Sequence, residues 1–262
     1  MSSVRAPAVA GVFYPEDAEE LRAQVEDLLA GAARAPVPAP KALIAPHAGY
    51  VYSGPVAASA YACLAAARSR IRRVLLLGPA HRVGFRGLAC PSAEWFETPL
   101  GRVPLDRDAL AAIAELRGVR VRDDAHEDEH SLEVHLPFLQ ALLRDFTLVP
   151  LAVGDATAEE VGAVIERLWG GPETVIVVSS DLSHYRSYEE AQRLDRRTSR
   201  AIESLRYEDI GYDDACGRAP VAGLLYVARA RGLDARTVDL RNSGDTAGPR
   251  GRVVGYGAYA LQ

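Results

Sequence analysis

Three short apolar runs each end at or near a histidine. Ala42-Leu43-Ile44-Ala45-Pro46 leads into His47, Val74-Leu75-Leu76-Leu77-Gly78-Pro79-Ala80 into His81, and Val175-Ile176-Val177-Val178-Ser179-Ser180-Asp181 into His184. Runs of four or so aliphatic residues bounded by Gly, Pro or Ser predict buried strands of a parallel sheet. Ligands of open α/β sheets bind beyond the carboxyl ends of the strands. Three imidazoles far apart in sequence are therefore expected along one edge of one sheet. Neutral imidazole is the commonest protein ligand for transition metals, so a metal site on an α/β scaffold is the first expectation.

The remaining periodicity supports that scaffold. Helices are predicted over 16–29, 55–67, 105–116, 131–143, 158–169, 188–205 and 217–230, with Pro137 expected to kink the fourth or displace its start. Further strands are predicted at 148–153, 235–240 and 252–260. Residues 32–40, with three prolines, form a linker into the first strand. Strands alternating with helices imply a mostly parallel sheet covered on both faces, in one domain spanning 1–262.

Composition narrows the function. The net charge is −5 with acids and bases interspersed, and no basic stripe suits nucleic acid. No apolar stretch approaches the roughly 20 residues of a membrane span. The first residues lack the apolar core of a secretory signal. Three scattered cysteines suggest a reducing, cytoplasmic compartment. A Walker loop, a strand-linked G-x-G-x-x-G and a nucleophile elbow are all missing.

Taken singly, His47 and His81 are better explained by hydrogen bonding at a strand end than by metal. Repetition beyond three predicted strands favours metal. Asp181 and His184, three apart, would share a face of a helical turn. Asp181 is then a ligand, a carboxylate fixing a histidine tautomer, or a helix cap shared with Ser180. In the acidic stretch 123–135, His126 and His130 have i, i+4 spacing; His130 is expected to reach the site, and His126 and His135 to be structural or exposed. Cys216 precedes a predicted helix, whose N-terminus, with Arg218, would lower the thiol pKa and favour a thiolate ligand. Cys63 and Cys90 suit packing roles. Asn242-Ser243-Gly244-Asp245 is a predicted turn, from which Asp245 could close over the pocket.

Five ordered segments, Ala45–Tyr50, Leu77–His81, Glu129–Pro137, Ser179–His184 and Cys216–Arg218, with the opening Pro7–Pro15, resemble the Memo-like family over nearly the whole chain. The resemblance implies the three-layer α/β/α fold of class III extradiol dioxygenases around a central, mostly parallel mixed sheet. It implies a pocket metal, iron or copper with zinc a further option, held by His47, His81 and Cys216. His184 would be a fourth ligand or an acid/base, with His130 and Asp181 also in catalytic roles, and Phe13 and Tyr52 would line the pocket. It also implies work alongside a radical-SAM protein encoded nearby. Non-haem iron oxygenases use two histidines and a carboxylate, whereas the third ligand here is a thiol, so the fold does not carry ring cleavage with it. A metal-dependent oxidoreductase acting on a small molecule is expected first. A peptide- or ligand-binding module and a metal-dependent hydrolase are the alternatives.

Overall fold

Each of the three histidine-terminated runs forms a strand, and the three strands are neighbours. The computed structural model describes residues 3–32 and 39–262; most of the predicted linker, 33–38, lies outside them. In chain order the strands are β1 (Val4–Arg5), β2 (Ala42–Ala45), β3 (Arg73–Pro79), β4 (Leu88–Cys90), β5 (Trp95–Thr98), β6 (Gly101–Pro104), β7 (Val119–Val121), β8 (Thr147–Val153), β9 (Thr174–Ser179), β10 (His184–Arg186), β11 (Ala235–Asn242) and β12 (Val253–Leu261). The helices are α1 (Ala18–Ala30), α2 (Tyr50–Ala62), α3 (Arg107–Ile113), α4 (Asp124–Glu127), α5 (Leu136–Leu142), α6 (Ala158–Arg167), α7 (Tyr188–Glu203), α8 (Arg218–Arg231) and α9 (Ser243–Thr246).

The large sheet runs β10-β12-β2-β9-β3-β8-β4-β7, with β11 paired to β12. Its centre, β2-β9-β3-β8, is parallel, and β12 joins β2 antiparallel. Val74 to Leu77 of β3 have no exposed surface, because β8 and β9 flank the strand and helices cover it. That is why these strands are continuously aliphatic rather than alternating. On one side α2 packs on β2, β11 and β12, with α1 and α5 against it. Elsewhere α8 packs on β3 and β9 and against α6. The result is a three-layer α/β/α domain around a mixed, mostly parallel sheet. A separate three-stranded sheet, β1-β5-β6, carries the N-terminal segment.

Caps fix the helix ends. Asp17 accepts from the first-turn amides of α1, Thr157 and Glu160 form a capping box on α6, and Ser187 caps α7.

Several boundaries differ from expectation for local reasons. Helix α2 starts at Tyr50 rather than 55, because Gly49 caps it and the Phe13 carbonyl takes the Tyr50 N–H. Pro55 therefore lies inside a helix and not at its first turn. The predicted helix 131–143 is a 3₁₀ turn, Glu133–His135, followed by α5, with Pro137 in the first turn of α5. No helical turn follows β9. Residues 184–186 form β10 against β12, so Asp181 and His184 share no helix face and neither Ser180 nor Asp181 caps a helix. The predicted turn at 242–245 is the one-turn helix α9. There Asp245 accepts from the Asn242 N–H and the Tyr188 hydroxyl, and does not close over the pocket.

Candidate metal centre

His47 follows β2 by two residues, and His81 follows β3 by two; β9 lies between those strands. The last pair of the β2–β9 register, Ala45 with Ser179, sets Ser179 beside His47. Ser179 Oγ donates to the Ser131 carbonyl at 2.6 Å, so it accepts from His47 Nδ1, also at 2.6 Å. The Nδ1–H tautomer of His47 follows, with the Nε2 lone pair turned to Cys216 Sγ, 3.4 Å away. His47 is 2% exposed, and burial first, then the surrounding histidines, push its pKa well down. The ring is neutral, the form in which an imidazole could bind a metal.

Glu129 fixes His81. Its carboxylate accepts from His81 Nδ1 at 3.0 Å and from the backbone N–H groups of His81, His130 and Ser131. Burial would raise the Glu129 pKa, but these bonds, led by that of the His81 side chain, outweigh it and hold the group at about 2. The charged carboxylate takes the Nδ1–H of His81 and leaves Nε2 as its free donor. Gly78 permits this arrangement, since a Cβ there would lie 2.8 Å from Ser131 Oγ and 2.9 Å from Leu132 Cδ2.

Cys216 arrives from the other direction, just before α8. Gly217 is the device: a Cβ there would sit 2.4 Å from the Ser179 carbonyl, so only glycine lets the start of α8 touch the end of β9. Its N–H donates to Ser180 Oγ at 3.0 Å. Cys216 Sγ lies 3.4 Å from His47 Nε2 and accepts from the Asp181 N–H at 3.3 Å. The expected lowering of the thiol pKa is not observed. Burial, then the Asp181 carboxylate, push it up, and Arg218 stacks over the Tyr212 ring at 3.9 Å. Neutralising a buried thiolate here requires a cation.

One donor atom from each of His47, His81 and Cys216 falls within 4.8 Å of the other two. The spacing fits a shared ion. Ligands bound at roughly 2.0 Å (N) and 2.3 Å (S) in tetrahedral array stand about 3.5 Å apart, and His47 Nε2 and Cys216 Sγ are 3.4 Å apart. Two imidazoles and a thiol also suit iron, copper or zinc by type. A second such group, His81, Glu129 and His130, is better explained as support, because Glu129 already accepts four N–H donors.

Of the other predicted residues, His184, Asp181 and His130 lie near this cluster. His184 lies outside it, yet close enough to shift the titration of His47 and Asp181 electrostatically. Its Nδ1–H donates to the Leu182 carbonyl at 2.8 Å, leaving an Nε2 lone pair. The next residue, Tyr185, is 64% exposed in left-handed backbone, with φ at 57°, a conformation that costs energy for a bulky side chain. Asp181 accepts the His47 N–H at 2.8 Å, and burial pushes its pKa up to about 6. The His130 ring stacks 4.7 Å from His81 and lies 5.4 Å from His47, with Phe13 4.8 Å from it. Tyr52 is 41% exposed, on the first turn of α2.

His126 and His135 are outside the cluster and buried, not exposed. His126 bonds the Ala89 carbonyl and His135 the Tyr61 hydroxyl. Helix α4 ends at Glu127, so 126 and 130 share no helix. Ser179, Glu129 and Glu133 were not singled out by sequence. Their roles depend on chain crossings that spacing does not reveal.

A cavity of about 480 Å³ opens beside Cys216, between the loops after β3 and β8 and the start of α8. A larger hollow of about 770 Å³ lies at the amino ends of β3 and β8, beside Arg73 and Thr147, and contains none of the clustered residues.

Glu129→Gln tests the support role. An amide cannot act as the charged acceptor for His81 Nδ1–H, and outer carboxylates of this kind contribute roughly 10–100-fold in metal affinity. Competition with a chromophoric chelator should show a loss in that range without loss of the fold. An unchanged affinity would remove Glu129 from the site.

A family model described as Memo-like protein matches residues 5–260. Relatives named MEMO1 family protein are 38% identical in Aeropyrum pernix, covering 98% of this chain and 99% of that one, and 37% identical in Aquifex aeolicus, covering 97% of each. Another, in Methanopyrus kandleri, is 37% identical over 98% of this chain and 99% of its own. With an N-terminal segment, three strand-end segments and the Cys-Gly-Arg turn all inside the matched span, the chain belongs to the Memo-like protein family.

Proposed function

We propose that the protein binds one iron or copper ion through His47, His81 and Cys216 and uses it in a redox reaction on a small molecule in the adjoining cavity. The carrying observation is the meeting of three donor atoms within 4.8 Å, two of them on rings whose Nδ1–H is already committed to Ser179 or Glu129. Rings fixed in this way are preorganised ligands. A redox-active ion would supply electron transfer to or from a molecule beside it.

The chain's own groups handle protons and water. His184 Nε2 carries a lone pair and serves as a proton acceptor. Asp181, pushed up to about 6 by burial, exchanges a proton near neutrality. His130 is held near 4 by burial, so it stays neutral and, with Phe13, walls the site. Cytoplasmic residence and a radical-SAM partner are part of the same proposal, and they rest on cysteine usage and family resemblance.

The test is elemental analysis and electron paramagnetic resonance of protein purified without a metal-binding tag. The expected result is close to one iron or copper per chain, reducible by dithionite and reoxidised by oxygen. Full occupancy by zinc, with or without esterase activity, would overturn the redox reading. Metal-free protein that cannot be loaded would overturn the metal reading.

A further inference from the structure

The cavity beside Cys216 contains one guanidinium positioned to bind a ligand. Arg218, two residues beyond the thiol, lines that cavity and also an adjoining hollow of about 360 Å³. Arg73, Arg197 and Arg229 each bond a carboxylate. Among the described residues the Arg218 guanidinium has no hydrogen-bond or carboxylate partner; its contact is the Tyr212 ring, 3.9 Å away. Stacking fixes the plane of a guanidinium while leaving its five N–H donors at the edge, the geometry that takes a carboxylate or phosphate with two parallel bonds.

The adjoining hollow is also lined by Glu159, Glu160 and Glu208, of which Glu160 accepts from the Thr157 N–H and Glu208 pairs with Arg229, whereas the cavity beside Cys216 is almost free of acids. Its one acidic lining residue, Asp155, is surface-exposed and 4.0 Å from Arg86. The first turn of the 14-residue α8 adds potential of the same sign. Val83, Phe85 and Pro220 supply apolar wall. A volume of about 480 Å³ suits a small molecule and not a protein segment.

We infer that the molecule acted on is an organic anion, a carboxylate or phosphate ester with an apolar body, held by Arg218 so that the rest of it lies beside Cys216. The inference builds on the metal centre being the place of reaction, but anion binding is measurable without metal.

The experiment is ligand-observed NMR titration of metal-free and metal-loaded protein with benzoate and phenyl phosphate, and with neutral benzamide for comparison. At least one anion should bind tenfold or more tightly than benzamide, and which one does so identifies the headgroup. Arg218→Gln should erase that preference, and Arg218→Lys, which keeps the charge without the planar fork, should retain part of it. Arg144→Gln, at the distant hollow, should leave it intact. Equal binding of anions and benzamide, or a preference surviving in Arg218→Gln, would overturn the inference. Metal content is measured on the same samples. Protein that takes no metal yet keeps the Arg218-dependent preference supports the anion site while overturning the metal reading.

Discussion

His47→Ala should yield a folded protein that no longer holds its metal. His47 is one of three converging donors, and the residue is positioned by three contacts, two of them on its ring. Ser179 takes Nδ1–H, the Asp181 carboxylate takes the backbone N–H, and Cys216 Sγ lies 3.4 Å from Nε2. Removing an outer-shell partner costs roughly 10–100-fold in affinity, so removing the ligand itself should exceed 100-fold. The fold should tolerate the loss. The ring stands past the end of β2, and its bonds are to side chains that keep other partners, Ser179 to the Ser131 carbonyl among them. A penalty of about 1–3 kcal/mol is the ordinary range for such a site. Metal content by mass spectrometry, with a urea melt of the same sample, separates the two effects. Undiminished metal would remove His47 from the ligand set.

Cys216→Ser should follow His47→Ala, and Cys63→Ser should not, because Cys63 is a buried packing residue bonded to the Ser59 carbonyl. The wild type adds a pH signature. Burial and the Asp181 carboxylate hold the Cys216 thiol protonated, so metal uptake must expel that proton. Affinity should rise by about tenfold per pH unit across the neutral range, and Cys216→Ser should flatten that slope.

The parts of this site that the sequence displays are those whose chemistry is local. A strand of four aliphatics followed by a histidine declares both a buried strand and the sheet edge at which the ring stands, so the meeting of His47 and His81 was legible. Cys216 was legible as a thiol before a helix, but the sign of its pKa shift was not, because burial outweighs a helix terminus and burial is a tertiary property. Residues 181–184 misled. The Asp and His spacing suits a helical turn, yet the amides of 182 and 255 pair with the carbonyls of 255 and 183, drawing the segment into β10 against β12. Glu129 and Glu133 were invisible for a different reason. Within an acidic run each looks like one more solvated charge, and only the return of the chain over the sheet edge buries them.

Loss of Glu133 should cost the fold several kcal/mol. Glu133 is fully buried, one turn beyond His130, and accepts from the Arg5 guanidinium, the N–H groups of Ala8 and Val9, and the Tyr14 hydroxyl. Arg5 donates also to the carbonyls of His126 and Glu129. One carboxylate thus ties residues 5–14 to the loop that carries Glu129 and His130, and Phe13 is presented to the His130 ring as a result. Glu133→Ala leaves Arg5 buried without its counter-charge, a change that costs about 3–5 kcal/mol. In a chain of this size that lowers the melting temperature on the order of 10 °C. Arg5→Met combined with Glu133→Leu removes both charges and should recover much of the loss, because a filled apolar pair does not strand an ion. The N-terminal segment of Glu133→Ala should become the first site of proteolysis. Metal affinity should change by less than tenfold, since none of His47, His81 and Cys216 bonds directly to residues 5–14. A Glu133→Ala protein as stable as the wild type would mean that the buried ion pair contributes nothing net. A Glu133→Ala protein that folds but has lost its metal would mean that the strap, through Phe13 and His130, holds the ligands as well as covering them.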